Sequence, residues 1–205
     1  MKAVILAAGE GKRMHPLTHT RPKAMVYAAG KPLLWHVLHE VKKAGVNEAI
    51  IIVKYKKEKI LEYFAANDLG MKLEFVEQGD KYGTGAAVLA AKGRVQGSFL
   101  VIAGDLVTES AVIKKVMQAH EGGVTAAAKA VDNPKHYGIF EVKDGRIAAV
   151  EEKPEAPKGN LANISIYMMD EGVFPLLEAI TPSLRGEYEI TDILRGGKCV
   201  QADGF

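Results

Sequence analysis

The sequence predicts a three-layer α/β fold built on a mixed, mostly parallel β-sheet. Two observations support this prediction. As far as His120, short apolar runs typical of buried strands alternate with amphipathic stretches typical of helices, a pattern that produces a parallel sheet covered by helices. From Gly122 onward, strand-like segments follow one another through short turns, which indicates that antiparallel strands are added to the same sheet.

The parallel part is predicted from apolar runs and helical patterns in alternation. The apolar runs predict strands at residues 4–6, 49–53 and 99–102, and a further strand is predicted at residues 73–76. Pro32 suits the first turn of a helix and Gly45 suits its end. Between them, one helical face carries the apolar residues Leu34, Val37, Leu38 and Val41. Similar patterns predict helices at residues 58–66, 83–92 and 109–120.

The antiparallel part is predicted from segments joined by turns. Strands are expected at residues 124–131, 138–142, 146–150 and 163–168, with Lys143-Asp144-Gly145 as a hairpin signal. The Pro- and Lys-rich residues 152–160 predict a loop, and residues 171–179 predict a helix. A chain of this length fits one sizeable domain, so we expect residues 1–205 to fold together.

Composition narrows the functional classes. Of 205 residues, 48% are hydrophobic and 25% are charged, and the net charge of +2 provides no strong basic field for nucleic acid. Cys199 is the only cysteine, which excludes an internal disulfide and a cysteine-based metal site and suits a reducing compartment. No apolar run approaches the roughly 20 residues of a membrane helix. We therefore expect a cytoplasmic protein without nucleic-acid or membrane partners.

The strongest local motif is the glycine-rich loop after the first predicted strand. At Gly9 and Gly11 no Cβ intervenes, so backbone N–H groups can approach a phosphate chain closely. Arg13 and Lys23 can add positive charge to such a site. The dinucleotide fingerprint fails because Met14 replaces its last glycine, and the P-loop pattern fails because Arg13 stands where it needs serine or threonine. A plain structural turn is the alternative.

Polar residues at other strand ends are weaker signals. Asp105 follows Gly104 at the end of a buried strand, the edge at which open α/β sheets bind ligands, and its carboxylate suits Mg²⁺. The alternative is an aspartate that caps the following turn. Tyr137, Glu152 and Lys153 by themselves favour a turn and surface charge, which charged pairs at strand ends usually form, with a binding site as the alternative.

Taken in order, these motifs resemble the sugar-1-phosphate nucleotidylyltransferase family along nearly the whole chain. The matching residues are Leu6-Ala7-Ala8-Gly9-Glu10-Gly11-Lys12-Arg13-Met14, Pro16-Leu17-Thr18, Pro22-Lys23, Gln78, Gly83-Thr84-Gly85-Ala86, Gly104-Asp105, Tyr137-Gly138, Glu152-Lys153-Pro154, Asn163 and Gly186-Glu187-Tyr188-Glu189-Ile190-Thr191-Asp192. One such motif is weak evidence, whereas the ordered series is specific. The resemblance implies a Rossmann-like nucleotidyltransferase fold, with a nucleotide-binding half and a sugar-binding half across one mixed sheet.

The resemblance also implies roles for individual residues. Arg13 and Lys23 would hold and neutralise phosphates and Asp105 would ligate Mg²⁺, so these three would be the catalytic residues. The nucleotide would be bound by Leu6, Ala8, Gly9, Gly11, Arg13, Gln78, Gly83 and Thr84. Among these, Gln78 would present both a donor and an acceptor to a pyrimidine base. The sugar would be bound by Tyr137, Gly138, Glu152, Lys153 and Asn163.

The implied reaction transfers a nucleoside monophosphate from UTP or dTTP to a sugar 1-phosphate, of glucose or N-acetylglucosamine, and releases pyrophosphate. The attacking phosphate oxygen is already anionic at neutral pH, so no general base is required and positioning with charge neutralisation determines the rate. The alternative, from another class, is a catalytically silent homologue that binds nucleotide sugars and regulates a partner. A homo-oligomeric assembly is compatible with both interpretations.

Two departures from the family pattern bear on activity. Ser165 stands where the family usually has glycine, two residues after the asparagine that matches Asn163, and its side chain could narrow the sugar pocket. Many relatives continue from a Gly-Phe pair, here Gly204-Phe205, into a Trp-x-Asp segment whose aspartate completes the metal site. The resemblance therefore implies either a catalytic domain truncated at its C-terminus or a terminus that differs from those relatives. Because the second carboxylate would be missing, we expect slow turnover. Asp203 would be either a stand-in ligand or a solvated residue near the terminus.

Overall fold

A computed structural model describes residues 1–202 and confirms the three-layer α/β fold. The strands are β1 (Ala3–Leu6), β2 (Tyr27–Ala28), β3 (Lys31–Pro32), β4 (Glu48–Val53), β5 (Lys72–Glu77), β6 (Ser98–Ala103), β7 (Val124–Ala130), β8 (Gly138–Lys143), β9 (Arg146–Glu152), β10 (Leu161–Asp170) and β11 (Lys198–Gln201). The helices are α1 (Leu33–Lys43), α2 (Lys57–Ala66), α3 (Thr84–Leu89), α4 (Ser110–Ala119) and α5 (Phe174–Ala179). None of the helices within this range is long and apolar enough to cross a membrane.

The main sheet is mixed, as predicted. Within residues 1–202 its strand order is β5-β4-β1-β6-β10-β7-β11-β9-β8. The strands β5, β4, β1 and β6 are mutually parallel, whereas β10 and β9 run antiparallel to their neighbours. The edge strand β8 also pairs with β10 through Ile139 and Ala162, so the second half of the sheet closes on itself. The parallel half thus meets the closed half along the β6–β10 contact.

Alternation along the central strands divides the interior into two apolar layers. In β1, Ala3 and Ile5 pack with α1, α2 and α4, whereas Val4 packs with α3 and α5 on the opposite face. The predicted apolar face of the first helix is confirmed, because the buried residues of α1 are Leu34, Val37, Leu38 and Val41. Burial on both faces explains why β1, β4 and β6 appear in the sequence as nearly continuous apolar runs.

Some elements differ from the sequence-based expectation. The helix predicted at residues 83–92 is regular only from Thr84 to Leu89 and continues as turns. The hairpin of β2 and β3 and the short strand β11 were not predicted. β11 follows directly after Gly196-Gly197 and pairs with β7, which lies far away in the sequence, so no local periodicity marks it.

Candidate active site

The glycine-rich loop leaves β1 at the carboxyl end of the parallel strands. Gly11 has a φ of +73°, and an added Cβ there would lie 2.7 Å from Cβ of Lys23 and 3.3 Å from Cγ2 of Thr18. Both the backbone conformation and the close approach therefore require glycine. At Gly9, in contrast, an added Cβ would meet nothing within 4 Å, which leaves this part of the backbone accessible.

Two residues, Thr18 and Tyr55, stabilise this loop through hydrogen bonds to its backbone carbonyls. The fully buried Thr18 donates its hydroxyl to the carbonyl of Gly11 at 2.9 Å. Tyr55, which follows β4, donates its hydroxyl to the carbonyl of Thr18 at 3.1 Å and its backbone N–H to the carbonyl of Ala8 at 3.4 Å. Sequence reasoning assigned no role to either residue, although Thr18 lies in a matching motif. Together they hold the loop that carries the exposed Arg13.

Lys23 and Asp105 lie far apart in the sequence and form an ion pair in the structure. Asp105 follows Gly104, whose N–H donates to the carbonyl of Leu6 at 2.9 Å, so the ends of β6 and β1 lie side by side. The side chains of Lys23 and Asp105 are 43% and 24% exposed, which leaves both charged groups within reach of a substrate. The structure thus brings the glycine loop, a cation and a carboxylate to one edge of the sheet.

The residues at this edge of the sheet could bind Mg²⁺ only together with a phosphate-containing substrate. Within residues 1–202, no group of three or more His, Cys, Asp and Glu side chains could hold a metal ion. A lone carboxylate such as that of Asp105 fits Mg²⁺ when phosphate oxygens and water supply the remaining ligands. The sequence predicted that Asp203 and the pair Gly204-Phe205 matter for the metal site. These residues lie outside the described part of the chain.

Gln78 is buried at the end of β5, with 4% of its surface exposed. Its Nε2 donates to the carbonyls of Lys81, at 2.8 Å, and Gly83, at 3.2 Å. Both amide hydrogens are therefore bound within the chain, and only Oε1 remains available, as an acceptor, to a bound molecule. The expectation that Gln78 presents a donor as well as an acceptor to a base is wrong for this conformation, because the neighbouring loop occupies the donor.

A segment that we call the crossing segment, residues 183–192, contacts both the entry of α3 and the residues beside Gly138. Its Tyr188 donates a backbone N–H to the carbonyl of Tyr82 at 2.8 Å. The Tyr188 carbonyl accepts the N–H of Gly85 at 2.8 Å. The crossing segment is thus attached through its backbone to the entry of α3.

Gly83 and Thr84, predicted to bind nucleotide, also contact the crossing segment. The N–H of Ile190 donates to Oγ1 of Thr84 at 3.0 Å. Gly83 has a φ of +126°, and an added Cβ would lie only 2.4 Å from the carbonyl oxygen of Tyr188. The glycine therefore permits the close docking of two backbones, a role that sequence reasoning missed.

Residues predicted to bind sugar converge on Gly138 at the start of β8. An added Cβ at Gly138 would lie 2.8 Å from Oε2 of Glu152 and 3.8 Å from Cβ of Asn163. Cγ2 of Thr191, from the crossing segment, would lie 3.7 Å away. Thr191 belongs to a matching motif but was not assigned to the site, because only the fold places it beside Gly138.

Tyr137 and Lys153 flank this cluster through the pairing of β8 and β9. The backbone N–H of Lys153 donates to the carbonyl of Tyr137 at 3.0 Å. Nζ of Lys153 lies 3.4 Å from Oε1 of Glu152, and the Tyr137 side chain is exposed. Both residues therefore lie beside Gly138 and Glu152.

The Asn163 side chain is engaged within β10. Its Nδ2 donates to the Tyr167 hydroxyl at 2.7 Å, and its Oδ1 accepts the backbone N–H of Ser165 at 3.0 Å. Burial raises the pKa of Tyr167 to about 12, so the phenol is neutral. Ser165 has a φ of +58°, and the register between β10 and β7 shifts here. This left-handed bulge explains why glycine would suit the position, and Ser165 accepts its strain.

Comparisons with known proteins agree with this geometry. A family model described as nucleotidyl transferase matches residues 2–199. The bifunctional protein GlmU of Methanocaldococcus jannaschii is 43% identical over 196 residues, which cover 95% of this chain and 46% of that protein. The chain thus spans about half the length of such curated relatives.

Two further proteins are similar over most of their own length. The UTP–glucose-1-phosphate uridylyltransferase AglF of Haloferax volcanii is 32% identical over 211 residues, covering 98% of this chain and 87% of that protein. The crystal structure of a UDP-glucose pyrophosphorylase complexed with UDP-glucose superposes with a TM-score of 0.82 at 27% identity, covering 95% of this chain and 85% of the other. Sequence and fold therefore indicate the same group of proteins.

Proposed function

The chain belongs to the nucleotidyl transferase family, and from this premise we propose that it transfers a nucleoside monophosphate from UTP or dTTP to a sugar 1-phosphate, with release of pyrophosphate. One observation carries the proposal. Gly11, Lys23 and Asp105 meet at the carboxyl end of the parallel strands, while Gly138 and Glu152 meet in a second cluster that the crossing segment contacts through Arg185 and Thr191. A phosphate-binding half and a polar pocket for a second substrate are what a transfer between two anions needs.

The proposed roles of the charged residues follow from their positions. Arg13 and Lys23 bind triphosphate oxygens and neutralise charge as pyrophosphate leaves. Asp105 would hold Mg²⁺ together with phosphate oxygens, and the ion would supply further charge neutralisation. Because the sugar phosphate is already anionic, the chain needs no general base, and its residues act by binding and orienting both substrates.

The proposed base preference rests on Gln78. With both amide hydrogens bound to the carbonyls of Lys81 and Gly83, its Oε1 is the atom that can meet a base. An acceptor suits the N3–H of uracil or thymine. N3 of cytosine carries no hydrogen, so it cannot donate to Oε1 of Gln78. This one atom therefore accounts for the proposed preference for UTP and dTTP over CTP.

On the sugar side, Glu152 and Asn163 beside Gly138 are proposed to accept and donate hydrogen bonds to ring hydroxyls, with Tyr137 and Lys153 flanking them. Leu6, Ala8 and Gly9 line the nucleotide side through their backbone. The catalytically silent alternative gains no support, because the glycine loop, Arg13, Lys23 and Asp105 are all present. A cytoplasmic location and a homo-oligomeric assembly are part of the proposal.

The test is pyrophosphate release measured with UTP, dTTP, CTP, ATP and GTP, each paired with glucose 1-phosphate and N-acetylglucosamine 1-phosphate, with and without Mg²⁺. We expect release with UTP or dTTP that depends on Mg²⁺ and on one sugar phosphate. Gln78→Ala should lower the preference for UTP and dTTP, whereas the magnesium dependence should stay the same. Equal kcat/KM for all five triphosphates, or no release with any pair, would refute the proposal.

A further inference from the structure

Arg185 lies in the crossing segment next to the proposed sugar pocket and contacts three carboxylates. Its Nη2 lies 2.9 Å from Oε2 of Glu189, 3.5 Å from Oε1 of Glu152 and 3.6 Å from Oε2 of Glu187. Its Nε also donates to Oε1 of Glu189 at 3.3 Å, so that pair is two-armed. Burial acts to lower the pKa of Arg185, yet the hydrogen bond to Glu189 and the three negative charges raise it.

The contacts of Glu152 show what the arginine does for the pocket. Oε1 of Glu152 faces two cations, Nη2 of Arg185 at 3.5 Å and Nζ of Lys153 at 3.4 Å. Oε2, the other oxygen, faces Gly138, where an added Cβ would lie 2.8 Å away. One oxygen is therefore held by positive charge, and the other is turned toward the pocket.

The net charge around Arg185 also indicates a role in substrate binding. Three glutamates gather around one guanidinium, and among residues 1–202 the cations within 4 Å of these carboxylates are Arg185 and Lys153. A sugar 1-phosphate brings close to two further negative charges. Without Arg185, the carboxylates would repel such a substrate, and the repulsion would be felt across several ångströms at low salt.

We propose that Arg185 is a positioning residue of the sugar subsite. It orients Glu152 toward the sugar, and it offsets the negative charge of the three glutamates so that an anionic sugar phosphate can enter. The side chain of Glu189 is only 9% exposed and anchors the guanidinium, while Arg185 itself is 37% exposed and reaches the pocket. This inference rests on the proposed function, since it takes the second substrate to be a sugar phosphate.

The test compares Arg185→Ala, Arg185→Lys, Glu187→Gln and the double variant Arg185→Ala with Glu187→Gln. The matched control is Arg94→Ala, which removes an arginine that is 48% exposed and is paired at 2.6 Å with Glu74 at the surface away from the site. Steady-state kinetics with each substrate varied in turn would be measured at low and at physiological salt. Melting temperature and the calorimetric affinity for glucose 1-phosphate or N-acetylglucosamine 1-phosphate complete the set.

Arg185→Ala should lower kcat/KM for the sugar 1-phosphate by roughly 10- to 100-fold at low salt and less at high salt, while KM for the triphosphate changes less than about twofold. Removing a carboxylate in the double variant should restore part of the loss. Arg185→Lys keeps the charge but not the two-armed pair, so its defect should be smaller. Glu187→Gln alone should lower KM for the sugar phosphate.

Equal losses for both substrates, without rescue by Glu187→Gln and with a lowered melting temperature, would overturn the inference and leave Arg185 a purely structural residue. If Arg185→Ala does not fold, Arg185→Lys and Glu187→Gln still decide, because an unchanged KM in both contradicts the proposal. Calorimetry separates this inference from the proposed function. A protein that binds the sugar phosphate through Arg185 but releases no pyrophosphate would refute the function alone.

Discussion

Replacing Gly83 by alanine tests whether the crossing segment is docked onto the entry of α3 as the structure describes. The backbone of Gly83 has a φ of +126°, and the added Cβ would lie 2.4 Å from the carbonyl oxygen and 2.6 Å from the backbone nitrogen of Tyr188. These are backbone atoms, which cannot rotate away as the end of a flexible side chain can. Either the crossing segment moves away or the entry of α3 at Gly83 shifts.

The expected cost has two parts. An alanine held in this backbone conformation costs about 1–3 kcal/mol. The overlap with the Tyr188 backbone adds roughly 1–3 kcal/mol, the range for overpacked sites. For a domain of this size each kcal/mol lowers the melting temperature by about 2–4 °C, so a fall of roughly 5–20 °C is expected. KM for the triphosphate should also rise, because the carbonyl of Gly83 holds the amide of Gln78.

Calorimetric melting of Gly83→Ala beside Gly45→Ala measures this effect. Gly45 also has a positive φ, of +99°, but an added Cβ there meets nothing within 4 Å, so this control carries the backbone cost without the overlap. The melting temperature of Gly83→Ala should fall clearly further. If both variants melt together and KM for the triphosphate is unchanged, the crossing segment is not docked in this way.

Three further predictions concern the phosphate loop and acid stability. Arg13→Ala should lower kcat by roughly 10²–10³-fold, the scale for losing one preorganised electrostatic donor, and should leave the melting temperature unchanged; full kcat in this variant would contradict the role. Thr18→Val removes the hydroxyl that binds the carbonyl of Gly11 and should cost about 1 kcal/mol in a denaturant titration, whereas Thr18→Ser should restore it. The pKa of Asp170 is lowered, chiefly by its hydrogen bond from His120. Ionised Asp170 therefore stabilises the folded state at neutral pH, and this stabilisation is lost as the pH falls below about 4. Melting curves from pH 7 to pH 3 should therefore fall more steeply for the unmodified protein than for Asp170→Asn, and parallel slopes would show that another group is responsible.

Sequence patterns predicted the elements whose signal is local. The alternation of apolar runs and amphipathic stretches marks β1, β4 and β6 with their helices, because strands buried on both faces require continuous apolar residues. The edge strand β5 is only partly buried and has Glu74 among its apolar residues. The face of α1 follows from its spacing alone. The strand β11 left no such signal, since four residues carry little periodicity and its pairing with β7 is a distant contact.

The candidate site divides in the same way. The loop glycines, Arg13, Lys23 and Asp105 could be predicted as candidates from the sequence because phosphate and metal chemistry restricts the residue types and because the motifs follow in a specific order. The contacts of Thr18 and Tyr55 could not be predicted, since hydroxyl-to-carbonyl hydrogen bonds across 7 and 37 residues leave no pattern in the chain.

For this protein, the order of residues along the chain was sufficient to indicate the layers of the fold, the family and the chemical types in the candidate site, because each depends on local periodicity or on the chemistry of particular side chains in a specific order. Only the tertiary structure determined the orientation and the neighbours of the side chains in the candidate site. It turned the donor of Gln78 inward and set Thr191 beside Gly138. It also gathered the carboxylates around Arg185. The physical reason is that the direction of a side chain depends on neighbours that are distant in sequence and meet only when the chain has folded.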